Sequence, residues 1–331
     1  MNYIYKLNSV IYTILGLAFT QVGFAQGNPS HQATDRGIVP ELGLPTNDSG
    51  AGGEAAGDVT ASDAGAQRPV KLKKKGVSTF FGYSSKYFYR SNPLMASGKL
   101  SQQKTAMWTN AFYAGAGLGV IETDSSVITP YIGASWTIND YIEGGLDTLN
   151  YNSTGAYALL LAQYGNGWSA RAGINYASDS STENDTEDYS EFFPNIGVMK
   201  AYALTDSTLG IFDASAGKHV TSSFDIFKAT DAGTLDNWEI SSSYGLKWKA
   251  SQNLSISPQY RLSYKLYDDG TNKDRDDLTN AVSLRIAYEI GSSVTLDLST
   301  SYSKRSTSGI PINLDFKNLD TGGGLSLNAR F

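Results

Sequence analysis

The chain has 331 residues, no cysteine, two histidines and a formal charge of −6, with 21 Tyr, 34 Gly and a mean hydropathy of −0.27. Without cysteine there is no disulfide framework and no lipid anchor on a processing-site cysteine. The acidic balance, with no basic region interleaved with aromatics, argues against nucleic acid as a partner, and tyrosine and glycine at modest hydropathy suit strands that are apolar on alternate residues only.

Lys6, the uncharged apolar stretch Val10 to Phe19, and Gly23-Phe24-Ala25 predict a signal peptide over 1–25, with the mature chain starting at Gln26 outside the cytoplasm. Loss of Lys6 with that leader takes the charge from −6 to −7. No later window approaches the roughly 20 apolar residues of a membrane helix. Residues 26–76 contain no Phe, Trp or Tyr up to Lys75 and are rich in Gly, Ala, Asp, Ser and Thr. Such a segment cannot bury enough apolar surface to offset its ordering entropy, so a disordered linker is expected. Its KLKKK end, residues 71–75, is a solvated charge run or a contact for anionic lipid headgroups.

From 77 to 331 the text turns into segments of about ten residues with period-two alternation. Trp238, Ile240, Tyr244, Leu246 and Trp248 alternate with Glu239, Ser241, Ser243, Lys247 and Lys249, and Ile256, Tyr260, Leu262 and Tyr264 with Ser257, Arg261, Ser263 and Lys265. Expected strands lie near 77–90, 99–108, 111–121, 126–138, 141–149, 154–164, 167–177, 191–204, 208–218, 236–250, 254–267, 278–290, 294–303 and 321–331. That makes fourteen, with Thr109-Asn110 and Asn139-Asp140 as tight turns. Segment 99–108 alternates poorly and 154–164 reads apolar on both faces, so twelve strands is the alternative.

Three features favour an all-β, transmembrane, up-and-down antiparallel barrel over a soluble sandwich. Trp136, Trp168, Trp238 and Trp248, with Tyr164 and Tyr288, lie near strand ends on the apolar face, as an interfacial girdle requires. Short connections such as Gly165-Asn166, Asp206-Ser207, 251–253 and 291–293 alternate with long polar ones at 178–190, 219–235, 268–277 and 304–320. The chain ends GGGLSLNARF, where Leu325, Leu327 and Phe331 share one face of a terminal strand and match the type of signal read by outer-membrane assembly machinery.

The front of this body, GYSSKYFYRS (82–91), AFYAGAGLGV (111–120) and ITPYIGASWTINDYIEGGLDTLNY (128–151), resembles the opening hairpins of TorF-type porins. Ser85, Tyr87, Phe88 and Arg90 fit the first-strand pattern, while Ser91 stands where that family has glycine. The resemblance covers about 75 residues and implies a Gram-negative outer-membrane barrel of pore type with no assigned substrate.

Chemistry is expected on the face opposite the aromatics. Over the last five strands that face carries Lys247, Lys249, Arg261, Lys265, Arg285 and Arg330 against Glu239, Glu289 and Asp297, six bases to three acids. Arg261, Arg285 and Arg171 fall at middle depth by their distance from the short turns. Arg171, Lys247, Arg261 and Arg285 are therefore candidates for an anion-leaning constriction, the other reading being arginines paired with acids to stiffen the lumen. The acidic runs 179–191 and 268–277 are read as solvated loops rather than calcium sites, and no metal or cofactor is expected. His219, placed at the start of a long loop near Ser222, Ser223 and Asp225, is the body's one possible catalytic base, and no Gly-x-Ser-x-Gly or metal-binding His spacing accompanies it. The function expected is passive diffusion of small hydrophilic solutes, not catalysis. The alternatives are a structural or adhesion barrel acting through loops or tail and, more remotely, a hydrolase. Outer-membrane lipid and the barrel assembly machinery are the expected partners, with the linker in the periplasm and the oligomeric state open.

Overall fold

The structure is a computed structural model that describes residues 77–94, 97, 104–142, 146–182, 187–223, 235–291, 293–311 and 313–330. The expected leader, the Gln26 start, the linker with its KLKKK end, and Phe331 lie outside the described residues.

The strands are β1 (Ser78–Arg90), β2 (Thr105–Gly117), β3 (Ile121–Glu122), β4 (Ser126–Tyr141), β5 (Tyr151–Tyr164), β6 (Trp168–Ser181), β7 (Glu187–Thr205), β8 (Thr208–Ser223), β9 (Asn237–Lys249), β10 (Leu254–Tyr267), β11 (Asp276–Ile290), β12 (Val294–Ser308) and β13 (Phe316–Arg330). All thirteen form one sheet in the order β2-β1-β13-β12 and so on down to β4-β3, and a further β2–β4 pairing closes it. The two-residue β3 pairs with β4 outside the ring, so twelve strands make a closed antiparallel barrel. The seam is β1 on β13, in register from Phe80 opposite Arg330 to Arg90 opposite Asp320. Closure leaves no ring strand with an unpaired edge.

Twelve strands rather than fourteen follow from two corrections at the front. Thr109 and Asn110 are not a turn; they lie in mid-ladder of β2 opposite Lys86 and Ser85. Asn139 and Asp140 likewise lie inside β4, which runs to Tyr141, and in place of the strand expected at 141–149 the described residues after it hold a 3-10 turn at Asp147–Leu149 before β5. In both cases the asparagine's turn chemistry is taken up within the sheet: the Tyr83 hydroxyl donates to Asn110 Oδ1 at 2.9 Å and the Thr109 hydroxyl to Asn139 Oδ1 at 3.2 Å.

Connections at 118–125, 165–167, 206–207, 250–253 and 291–293 share one end of the barrel with its first and last strand termini. Those at 91–104, 142–150, 182–186, 224–236, 268–275 and 309–315 share the other. Gly167 and Gly291 provide the positive φ, 80° and 69°, that the tight turns need.

The polarity of the wall is inverted relative to a water-soluble barrel. Ile196, Ile240, Val282 and Leu298 point outward and stay 55–64% exposed, whereas Glu191, Asp213, Glu239, Lys265 and Asp297 point inward and are buried. Burying ionisable groups while exposing aliphatic ones is unfavourable in water and favourable when the outside is hydrocarbon. The aromatics complete the pattern. Trp108, Trp136 and Trp238 face outward toward the long-loop end, and Tyr164, Trp168, Trp248 and Tyr288 toward the short-turn end.

On the inner wall of β1, β2, β4 and β5, aromatics face glycines directly across the ladder. Phe80 is opposite Gly115, Tyr113 opposite Gly82, and Tyr157 opposite Gly133. Each ring lies flat where a Cβ would stand. This accounts for the Tyr-x-Gly texture of the front hairpins: the glycine seats its neighbour's ring, as in aromatic rescue. Tyr131, Tyr157 and Leu159 pack there with Phe80 and Leu161 into an apolar half of the interior.

Candidate functional site

The remaining interior, from β6 round to β13, is lined by charge, and register decides which charges meet. Arg171 of β6 lies over Gly197 of β7 and reaches Asp213 of β8, with Nη1 to Oδ2 at 2.5 Å and Nη2 to Oδ1 at 3.0 Å. A Cβ at 197 would sit 2.7 Å from the guanidinium carbon, so this two-strand reach needs glycine. Arg285 of β11 donates from Nε to Asp297 of β12 at 2.7 Å; its own side chain is 45% exposed while Asp297 is 9% exposed. Arg261 of β10 donates to Glu239 of β9 at 3.3 Å. Lys247 is half-buried on the inner face of β9.

Two expectations about these residues change. Arg261 is opposite Ala281 and Arg285 opposite Ser257, so they stand four residues apart on the ladder rather than at one depth, roughly 13 Å along the strand. The inner face also gains charges of both signs: Asp277, at the start of β11, comes with Arg305, Asp320 with Arg90 at the seam, and Asp213 of β8 pairs with Arg171.

His219 is not a loop histidine in water. It lies inside β8, 2% exposed, with Nδ1 3.0 Å from Glu191 Oε2, Nε2 3.1 Å from Glu239 Oε2, and its face stacked on Phe193 at 3.9 Å between centroids. Only an imidazolium offers a hydrogen to each carboxylate. Both ring nitrogens are therefore engaged by carboxylates of the neighbouring strands. Tyr189 donates to the same Glu191 oxygen at 2.7 Å, and Ser263 donates to Glu239 at 2.9 Å, with Lys265 Nζ 3.6 Å away. Glu191 and Asp179, expected in a solvated loop, are therefore inner-wall residues; Asp179 is hydrogen-bonded to Ser153.

A second knot lies at the long-loop end of β10–β13. Asp277 accepts from Arg275 Nε at 3.0 Å and Nη2 at 2.5 Å, from Thr307 at 2.7 Å and from Tyr267 at 3.3 Å, with Arg305 Nη1 3.6 Å away. Arg305 also donates to the Leu314 carbonyl at 2.7 and 3.1 Å, and the two guanidiniums lie over the rings of Phe316 and Tyr267 at 4.6 and 4.4 Å. Burial works against the charge of Arg275 in its connecting loop, but Tyr267 and Asp277 more than offset it and raise its pKa. Across the seam, Arg90 makes a bidentate pair with Asp320, both bonds 3.0 Å, and the Asn92 backbone N–H donates to Asn318 at 3.0 Å.

Of these inner-wall residues, sequence reasoning missed Arg90, Asp213, Asp277, Arg305 and Asp320. Period-two parity, extended to the ends of their strands, is the sequence signal that finds them. Among the residues expected in assembly, Leu325 and Leu327 lie on the outward parity of β13, opposite Leu296 and Val294 of β12.

No protein-family model matches the chain and no curated protein is similar to it, so the resemblance to TorF-type porins rests on the front strand motifs alone. Similar solved structures include an outer membrane channel from Pseudomonas putida F1, at 11% identity and TM-score 0.47, covering 80% of this chain and all of that one. The NanC porin, at 12% and 0.41, covers 76% and 99%, and the beta domain of the Bordetella autotransporter BrkA, at 10% and 0.40, also covers 76% and 99%. With likeness this distant, function has to be argued from the chain's own residues.

Proposed function

We propose that this chain is an outer-membrane, porin-like channel for diffusion of small hydrophilic solutes. The observation that carries the reading is the inverted polarity of a closed ring: an aliphatic outer belt ending in aromatics, around an interior lined by ionisable groups. Such a belt suits a bilayer, and closure satisfies every ladder group that would otherwise be stranded in lipid. Charged side chains in an otherwise apolar environment favour a water column between them. On this reading the short turns and termini face the periplasm of a Gram-negative cell, the expected linker lies there too, and outer-membrane lipid and the assembly machinery are its partners. Any anion preference centres on Arg285, the candidate arginine most open to water, since Arg171 and Arg261 sit more deeply against carboxylates.

The test is the full chain, refolded and shown by heat-modifiable gel migration to be a closed barrel, in planar bilayers. Stepwise conductance is expected. Folded protein that gives no steps at any voltage overturns the reading.

A further inference from the structure

The inner wall changes character along its length. Near and below mid-height, four inward positions of β9–β12 reach solvent: Lys249, Gln259, Arg285 and Ser299 are exposed, while Ala287 and Asp297 beside them are buried. Toward the long-loop end of the same strands the inward positions close. Glu239 is 4% exposed, Lys265 4%, Asp277 1% and Arg305 1%.

These four belong to one circumferential layer. Glu239 is opposite Lys265 and Lys265 opposite Asp277, so acid and base alternate over β9–β11; Asp277 is opposite Thr307, and Arg305, two residues away on β12, brings Nη1 to 3.6 Å from it. His219 and Glu191 continue it onto β8 and β7, and the Arg90–Asp320 pair carries it across the seam. Elsewhere in the circle Met107, Tyr141 and Leu146 pack with Phe88, Leu149 and Tyr151, beside the buried polar residues Asn139, Ser153 and Asp179. Connecting segments add to the layer from above. Arg275 comes from the β10–β11 connection, Leu314 from β12–β13 and Asn92 from β1–β2, each 1% exposed. A water-filled mouth would leave such residues wet, as the lower lumen leaves Arg285.

We propose that the lumen is a vestibule reached from the short-turn end and sealed at the long-loop end by this layer, which must part for a solute to pass. The inference rests on the channel reading for its purpose but on burial and register for its existence. It makes the layer the regulated element of the pore. Opposite charges stand side by side in it when shut, with Lys265 Nζ 3.6 Å from Glu239 and Arg305 Nη1 3.6 Å from Asp277, and the groups exposed on parting are charged, so an opened layer is stabilised by the water that enters it.

The chain has no cysteine, so a single introduced thiol is the only target for a membrane-impermeant, charged maleimide. Ser299→Cys reports the lower lumen, Gln252→Cys the short-turn surface and Lys273→Cys the long-loop surface, all at exposed positions. In proteoliposomes, Gln252→Cys and Lys273→Cys establish which end faces outward and serve as fully accessible references. Reagent supplied at the short-turn end should modify Ser299→Cys readily. From the long-loop end its rate is scaled by the fraction of time the layer is open, and a layer shut for more than nine-tenths of the time slows it more than about tenfold. Equal rates from both ends overturn the seal. In a second protein, Arg275→Ser, Asp277→Ser and Arg305→Ser together remove bulk without stranding a charge, and labelling from the long-loop end should rise toward the short-turn rate. If that protein does not fold, the two-sided comparison on the native layer decides alone. One-sided labelling with no conductance from either protein would sink the channel reading and leave the seal standing; two-sided labelling with steady native conductance would do the reverse.

Discussion

Asp277 is the residue on which the long-loop knot depends, and Asp277→Asn isolates its charge while keeping its shape. The side chain is 1% exposed and faces two guanidiniums that are also 1% exposed. The native knot already holds two positive charges against one negative, the difference being shared by the Leu314 carbonyl and the ring faces of Tyr267 and Phe316. Neutralising the carboxylate removes the counter-charge that the two cations share, and breaking a buried pair this way costs about 3–5 kcal/mol. At about 1.4 kcal/mol per tenfold, that is a loss of two to three decades or more in the folding equilibrium. The control is Asp268→Asn, whose partner Lys218 is on the outer surface with side chains 22% and 42% exposed, where about 0–1 kcal/mol is at stake. The assay is urea unfolding of the full chain in detergent micelles, followed by tryptophan fluorescence and by gel migration of the folded form, under conditions where unfolding and refolding curves coincide. Arg275→Met with Asp277→Leu and Arg305→Met should recover most of the loss, because no charge is then stranded. Asp277→Asn within about 1 kcal/mol of Asp268→Asn would mean that the knot is hydrated and the burial argument wrong.

Other substitutions test separate parts of the argument. Gly197→Ala should displace the Arg171 guanidinium from Asp213 and cost about 1–3 kcal/mol, while Gly165→Ala, with nothing within 4 Å of the new methyl, serves as a control; equal unfolding midpoints would refute the close approach. Ile196→Arg, at a position 64% exposed, would be harmless in water but should destabilise the bilayer-inserted barrel by up to about 2–4 kcal/mol; an unchanged folding free energy in lipid would deny that this face meets hydrocarbon. Arg285→Gln uncovers the Asp297 carboxylate and should move the reversal potential toward cation preference, most at 0.01 M salt where the Debye length is about 30 Å; no movement there would make Arg285 irrelevant to selectivity. Deleting Phe331 should leave secretion intact and abolish the heat-modifiable form, and normal assembly of the truncated chain would remove its role in recognition.

Strands β9 to β12 were readable because alternation is local: Trp238 to Trp248 and Leu254 to Tyr264 announce two faces without reference to any other strand. The front of the barrel was misjudged for a reason equally physical. Asparagine favours turns because its side chain can satisfy nearby backbone, yet Asn110 and Asn139 spend theirs on hydroxyls 27 and 30 residues away, a choice set by register between strands. Local propensity cannot anticipate a partner that arrives only when the sheet closes.

The site was legible to the same limit. Parity put Arg171, Arg261 and Arg285 inside, but a tally of bases and acids on one face does not give the field in the lumen. Arg171 finds Asp213 by passing over a glycine of the strand between them, and Arg90 finds Asp320 across 230 residues because the last strand returns to the first. His219 was misread because the boundary of the loop was drawn at residue 219, whereas β8 runs on to Ser223 and carries the ring inward between two carboxylates. Those five extra residues, His219 among them, turn a solvated histidine into part of a closed layer. The closed layer therefore depends on how far the strands run beyond the aliphatic belt, which hydrophobic alternation, fading at the belt's edge, does not encode.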